Sequence, residues 1–136
     1  MTSAADNLAL ESYFDTNWSH TDVAWQNVPF NIDKRVAAGL SEWVRFTVAP
    51  GDTVQKSMGA PTNIFRSTGA IIVQIFVRRN VGLARARYLA DEVAALFLAN
   101  RVGSITIKNT SISTVGESGG WFQTNVNCEY SVDNLI

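Results

Sequence analysis

The segment 121–132 alternates between two sets of side chains, and this pattern restricts the fold more than any other. A period of two residues predicts a long β-strand with one buried and one outward face. The inward set is Phe122, Thr124, Val126, Cys128, Tyr130 and Val132. The outward set is Trp121, Gln123, Asn125, Asn127, Glu129 and Ser131.

Two other segments have helical spacing. The first predicts a helix over 4–17, with Ser3 as N-cap and Asp6 in the first turn, where a carboxylate suits the helix dipole. The second predicts a helix over 83–99 that follows Asn80 as N-cap. Its apolar stripe consists of Ala86, Leu89, Ala90, Val93, Leu96 and Phe97.

The middle of the chain predicts strands separated by irregular segments. Residues 23–31 are expected to be extended, and Pro29 restricts them to a sheet edge or a strand end. A polar link over 33–39 precedes a half-buried strand over 42–48. Residues 49–63 are expected to form a 15-residue loop.

After that loop, the apolar, β-branched run within 65–79 predicts a strand covered on both faces. Beyond the second helix we expect strands at 104–108 and 111–115, joined by a turn at 109–110. Three glycines then mark a hairpin before the last strand: Gly116, Gly119 and Gly120.

These elements predict an α+β fold: a two-layer domain with a mostly antiparallel sheet and two helices packed on one face. The 136 residues suit a single domain over 1–136, large enough to fold around its own core. Cys128 is the sole cysteine and His20 the sole histidine, so a disulfide framework is excluded and a metal site is not expected. We also expect no membrane segment, since the longest apolar run is far shorter than a spanning helix.

Catalysis has weak support in the sequence. No nucleophile elbow, phosphate loop or dinucleotide motif is present, and no cofactor is expected. Cys128 is predicted to be a small core residue and His20 a solvent-facing loop residue. A small enzyme or ligand-binding domain using either side chain is the alternative to a structural role.

Charge is unevenly distributed along the chain. All eleven Lys and Arg residues lie within 34–108, whereas Asp and Glu occur at both ends of the chain without any Lys or Arg. Two interpretations stay open: complementary contacts between copies, or ordinary mixing of charges on one folded surface. Four arginines crowd the start of the second helix, where they oppose its dipole: Arg78, Arg79, Arg85 and Arg87.

The whole layout resembles the tail terminator (tail-completion) proteins of long-tailed bacteriophages. The resemblance covers LALESYFDTNW, AWQNVPFN and WVRFTVAPG, then GAIIVQIFVRRNVG with its helix ARARYLADEVAALF and the β-rich end. Gly69 and Gly82 bracket the central strand of that pattern.

The resemblance implies a virion tail protein, assembled in the host bacterial cytoplasm, that forms a hexameric ring. Such a ring caps the tail tube, ends polymerisation and presents a surface to the head–tail connector, while DNA passes through its lumen without specific binding. A connector or another tail-tube-associated subunit is the nearest alternative.

The contact residues are predicted from their physical character and not from the family. The expected loop is long enough to contact a neighbouring copy or the tube. Trp side chains are anchors of many protein interfaces. The candidate subunit or tube contacts are Asp52, Gln55, Lys56, Met58, Arg66, Arg78, Arg79 and Trp121.

Overall fold

The computed structural model describes residues 4–59, 63–78, 82–98 and 101–135. The predicted cap Ser3 lies outside these residues. Asn80 also does, and its prediction as N-cap was wrong, because Leu83 is the N-cap of the second long helix. The helices are α1 (Ala4–Asn17), α2 (Ile32–Ala37) and α3 (Ala84–Phe97). The strands are β1 (Asp22–Trp25), β2 (Glu42–Gln55), β3 (Ile64–Arg78), β4 (Arg101–Val102), β5 (Ile105–Ser118) and β6 (Trp121–Leu135).

The described strands form one sheet in the order β1-β2-β3-β6-β5-β4. Every neighbouring pair is antiparallel except β1 and β2, which are parallel. Helices α1 and α3 contribute to one apolar core with the inward side chains of the strands. This arrangement confirms the predicted α+β class with two helices on one face of the sheet.

The core joins both helices to the sheet through aromatic contacts. The Phe14 ring of α1 stacks on Phe46 of β2 at a centroid distance of 4.8 Å and lies 6.2 Å from Phe97 of α3. In β6 the predicted inward set is buried, except that Phe122 is half-buried. Five of the six residues of the α3 stripe are also buried, so both periodicities are confirmed.

The burial of the two faces of the central strand β3 differs from the prediction. Ile71, Val73, Ile75 and Val77 are buried against the helices, whereas the intervening side chains are half-buried on the opposite face. The expectation of cover on both faces was therefore wrong. The apolar run is continuous because Ile72 and Phe76 lie on the face without helices.

The first seven residues of the segment predicted as a loop over 49–63 are strand, because β2 continues to Gln55. Its pairing with β3 shifts between Pro50 and Thr53, as a β-bulge does. Proline is tolerated there because β1 pairs with β2 only as far as Phe46, so the outer edge at Pro50 needs no N–H donor.

Two shorter predictions also need correction. The expected link over 33–39 contains α2, whose N-cap Asn31 accepts a hydrogen bond from the Lys34 N–H at 3.0 Å. Because α2 buries no side chain, its sequence has no apolar stripe from which a helix could be predicted. The expected extended segment over 23–31 is a strand only to Trp25, and it does lie at the sheet edge.

At the end of the chain, β5 continues through the turn that was expected at 109–110. A register shift between Ile107 and Asn109 replaces that turn. The hairpin turn is confirmed at Gly119 and Gly120, whose φ values of 61° and 86° favour glycine. The two-residue strand β4 was not predicted.

Candidate interaction surfaces

The face of the sheet opposite α1 and α3 carries four aligned rows of side chains, which we call the open face. Each row crosses β2, β3, β6 and β5 in register. The rows are Trp43–Phe76–Gln123–Gly116, Arg45–Gln74–Asn125–Ser113, Thr47–Ile72–Asn127–Ser111 and Ala49–Ala70–Glu129–Asn109.

Neutral side chains dominate this face. Arg45 and Glu129 are the charged members of the rows, and the others are amides, hydroxyls, aromatics, aliphatics or glycine. The outward phase of β6 is therefore confirmed over 121–129, whereas Ser131 is buried. Neither α1 nor α3 covers this face, and every member of the rows except Trp43 is at least partly exposed.

An aromatic groove lies at one end of the open face. Trp43 stacks between Phe30 and Phe76, with centroid distances of 5.0 and 4.1 Å, and its ring meets Trp121 edge-on at 6.1 Å. The groove has a volume of about 650 Å³ and is also lined by Arg45 and by residues 31–33 before and within α2. Large aromatic side chains in such a groove are typical anchors of protein interfaces.

Trp43 has an unusual environment in this groove. Only 2% of its surface is exposed, yet its indole Nε1 has no hydrogen-bond partner among the described residues. A buried donor without an acceptor costs about 1–3 kcal/mol. Sequence analysis missed this feature, although Trp43 shares the outward phase of Arg45 and Thr47.

The candidate contacts Asp52, Gln55, Lys56 and Met58 come together at the other end of the molecule, around the tip of the β2–β3 hairpin. Their side chains are exposed, and Met58 is 94% exposed. The tip is held by hydrogen bonds from the Lys56 N–H to the Ile64 carbonyl at 2.7 Å and from Gln55 Nε2 to the Ser57 carbonyl at 2.8 Å.

Arg66 lies near this tip but has a partner within the chain. Its guanidinium donates to both carboxylate oxygens of Asp133 on β6, at 2.8 and 3.0 Å. This bidentate pair lowers the pKa of Asp133, because the hydrogen bonds favour the ionised carboxylate. Both side chains stay partly exposed.

Arg78 and Trp121 are neighbours at the aromatic end, far from the hairpin tip. The Arg78 guanidinium lies 5.9 Å from the Trp121 ring centroid and donates to the Leu40 carbonyl at 3.1 Å. Arg79 lies outside the described residues. The structure therefore divides the described candidates between the two ends of the sheet.

Several basic residues are paired with carboxylates inside one chain. Arg85 at the start of α3 donates to Glu42 of β2 at 2.6–2.9 Å, and this contact offsets the unfavourable helix dipole. Arg35 pairs with Asp22 at 2.9 Å. Two pairs thus join the basic middle to the acidic ends, Arg35–Asp22 and Arg66–Asp133, which favours ordinary mixing of charge over contacts between copies.

The two side chains on which the enzyme alternative depends, Cys128 and His20, both contact other residues of the fold. Cys128 is fully buried, and burial raises the pKa of its thiol, which disfavours the nucleophilic thiolate. Its prediction as a core residue is confirmed. His20 is 32% exposed, lies 3.5 Å from Glu92, and contacts the rings of Trp18 and Tyr88 edge-on.

The described residues form neither a metal-binding cluster nor a membrane-spanning helix. No group of three or more His, Cys, Asp or Glu side chains in that part of the chain is placed to hold a metal ion. Among the described helices, none has the length and apolar character needed to cross a bilayer.

Comparison with known proteins supports the interpretation as an interaction protein. One solved structure superposes with a TM-score of 0.62 over 93% of this chain and 94% of that chain, at 19% identity, which supports the fold alone. None of the curated protein sequences matches significantly. A family model described as "Phage tail terminator protein" matches residues 7–130, which is nearly the whole chain. The chain therefore belongs to the phage tail terminator family and has a structural role in a phage tail.

Proposed function

We propose that this protein forms a hexameric ring that caps the tail tube, ends tube polymerisation and provides the surface on which the head docks. The observation that carries the proposal is the open face, which neither α1 nor α3 covers and which ends in an aromatic groove lined in part by the start of α2. A monomer has no evident use for such a groove, whereas a protein covered by partners does.

The separation of the two candidate ends supports a position between two partners. Arg66 and Arg78 are twelve residues apart on β3, which corresponds to roughly 40 Å at about 3.3 Å per residue. The hairpin tip, with Asp52, Gln55, Lys56 and Met58, is proposed to contact a neighbouring copy or the tube. The groove, with Trp121 and Arg78, is proposed to contact the partner on the other side.

The neutral open face also fits passage of DNA without specific binding. Proteins that hold DNA concentrate Lys and Arg on one surface. The four rows contain one arginine, balanced by one glutamate. The part of this face beyond the groove is proposed to line the lumen, where DNA would meet a surface with almost no net charge.

Disruption of the gene in its parent genome, followed by electron microscopy of the particles, tests the proposal. We expect overlong headless tubes beside filled heads without tails. Tails of normal length that fail to join heads would instead favour the connector alternative. Particles identical to those of the parent would contradict a structural role and return attention to His20 and Cys128.

A matched complementation separates assembly from folding. Trp121→Ala in the groove and Tyr88→Ala on the outer face of α3 each remove one partly exposed aromatic side chain. We expect the Tyr88 variant to restore finished particles and the Trp121 variant to fail. Equal rescue by both variants would remove the groove from the proposal.

A further inference from the structure

Within the described part of the chain, no strand pairs with the outer edge of β5 over 109–116. On its inner side, β5 pairs with β6 from Ile105 to Ser118. On its outer side, the described residues of β4 pair with Ile105 and Thr106. Over 109–116 no described strand lies beyond β5, so alternate backbone N–H and C=O groups face outward.

Apart from the two register shifts of β5 in its pairing with β6, this segment lacks the usual features that prevent edge pairing. Residues 109–116 contain neither proline nor a charged side chain. Ile112 and Val115 are 46% and 57% exposed. Lys108 and Glu117 stand outside this stretch, and the register shifts beside Ile107 and Thr114 leave a regular segment between them.

The free part of β2 on the opposite side of the sheet is, by contrast, protected. There the Val48 N–H donates to Gln26 Oε1 at 3.0 Å, Pro50 has no N–H, and a bulge follows. A protein that protects one edge and leaves another bare presents the bare edge as a site for an added strand.

We propose that the outer edge of β5 pairs antiparallel with β1 of a second copy of this chain. This inference rests on the proposed ring and deepens it. Within the sheet, β1 runs opposite to β5, since β5 is antiparallel to β6, β6 to β3 and β3 to β2, and β2 is parallel to β1.

The two edge strands, β1 and β5, also lie at the same level of the sheet. Ala24 of β1 and Ser113 of β5 belong to the same row, through Arg45, Gln74 and Asn125. A second copy placed beside β5 therefore continues the sheet at the same level. The contact joins two different edges, so each copy keeps one edge free for the next, and such heterologous contacts close into rings.

Hydrogen–deuterium exchange of the full chain at low and high concentration tests this pairing, with oligomeric mass measured by sedimentation. Assembly is expected to slow exchange in 109–116 and in 22–25 at least tenfold. Ser113→Lys places a charge on the edge and is expected to prevent assembly at concentrations where the wild type associates. Ser104→Lys, in the exposed β4–β5 turn, adds the same charge and is the control.

Circular dichroism checks that each variant folds, and Ser111→Lys repeats the test if Ser113→Lys does not fold. Three results would overturn the pairing: association that leaves exchange in 109–116 unchanged, normal association of a folded edge variant, or a chain that stays monomeric at all concentrations. Protection of β5 only on added tail tubes would overturn it too and identify the tube as the occupant. The gene-disruption phenotype is independent of these outcomes, so either proposal can fail alone.

Discussion

The two faces of the sheet use the same strands for different purposes. On the covered face, β3 places Ile71, Val73 and Ile75 against α1 and α3, where they are fully buried. On the open face the same strand places Ile72, Gln74 and Phe76, which are half-buried. The covered face accounts for most of the burial that stabilises the fold, whereas the open face retains apolar and aromatic area that folding does not use.

Adjacent isoleucines on β3 give the largest expected contrast. Ile71→Ala removes a fully buried side chain and is expected to lower the free energy of unfolding by about 2–5 kcal/mol. Ile72→Ala removes the same atoms from the half-buried open face and is expected to cost less than half as much. Urea denaturation of both variants measures the difference. Equal losses would show that the open face is as tightly packed as the core.

A second substitution tests how closely the covered face is packed near the hairpin. A Cβ at Gly69 would lie 2.5 Å from the Tyr130 hydroxyl and 2.7 Å from the Ala49 carbonyl oxygen. Gly69→Ala is therefore expected to destabilise the fold by about 1–3 kcal/mol. Thr68→Ala, at the exposed neighbouring position, is the control for thermal denaturation. An unchanged melting temperature for Gly69→Ala would mean that the Tyr130 ring can move aside.

Periodicity predicted the covered face better than the rest of the molecule. The buried residues of α3 and β6 repeat at helical and strand periods, so the sequence located them correctly. Strand ends were harder, because Pro50 and Gly51 occur in a bulged edge strand as readily as in a loop. The helix α2 was missed because its one strong signal is the Asn31 cap.

The candidate surfaces were only partly predictable for a different reason. Trp121 and the outward amides of β6 follow from alternation within one strand. The stack of Phe30, Trp43 and Phe76 joins three separate segments, so it depends on sheet order, which no local pattern reports. The bare edge of β5 was hidden because a turn was expected at 109–110.

Truncation of an aromatic side chain in the groove should weaken partner binding more than it lowers the stability of the fold. Trp121→Ala removes one edge-on aromatic contact, with Trp43, and its expected loss is about 0.5–1.5 kcal/mol. Co-sedimentation with tail tubes or connectors is expected to show binding weakened about tenfold or more. Tyr88→Ala, on the helical side, should bind normally. A Trp121 variant that binds like wild type would leave the open face without a tested role.

The smallest expected effect concerns the Arg66–Asp133 pair, which links β3 to β6 at the exposed end of the sheet. Because the pair holds the Asp133 pKa below its ordinary value of 3.8, its contribution to stability is present above that pH and is lost as pH falls through the lowered pKa. Asp133→Asn should thus lower the urea midpoint slightly at pH 7, and the difference from wild type should vanish at pH values below the lowered pKa. High salt should also reduce it, since both side chains reach solvent. Asp15→Asn on α1 is the control, and a difference that persists in acid would show that Asp133 acts through packing and not through its charge.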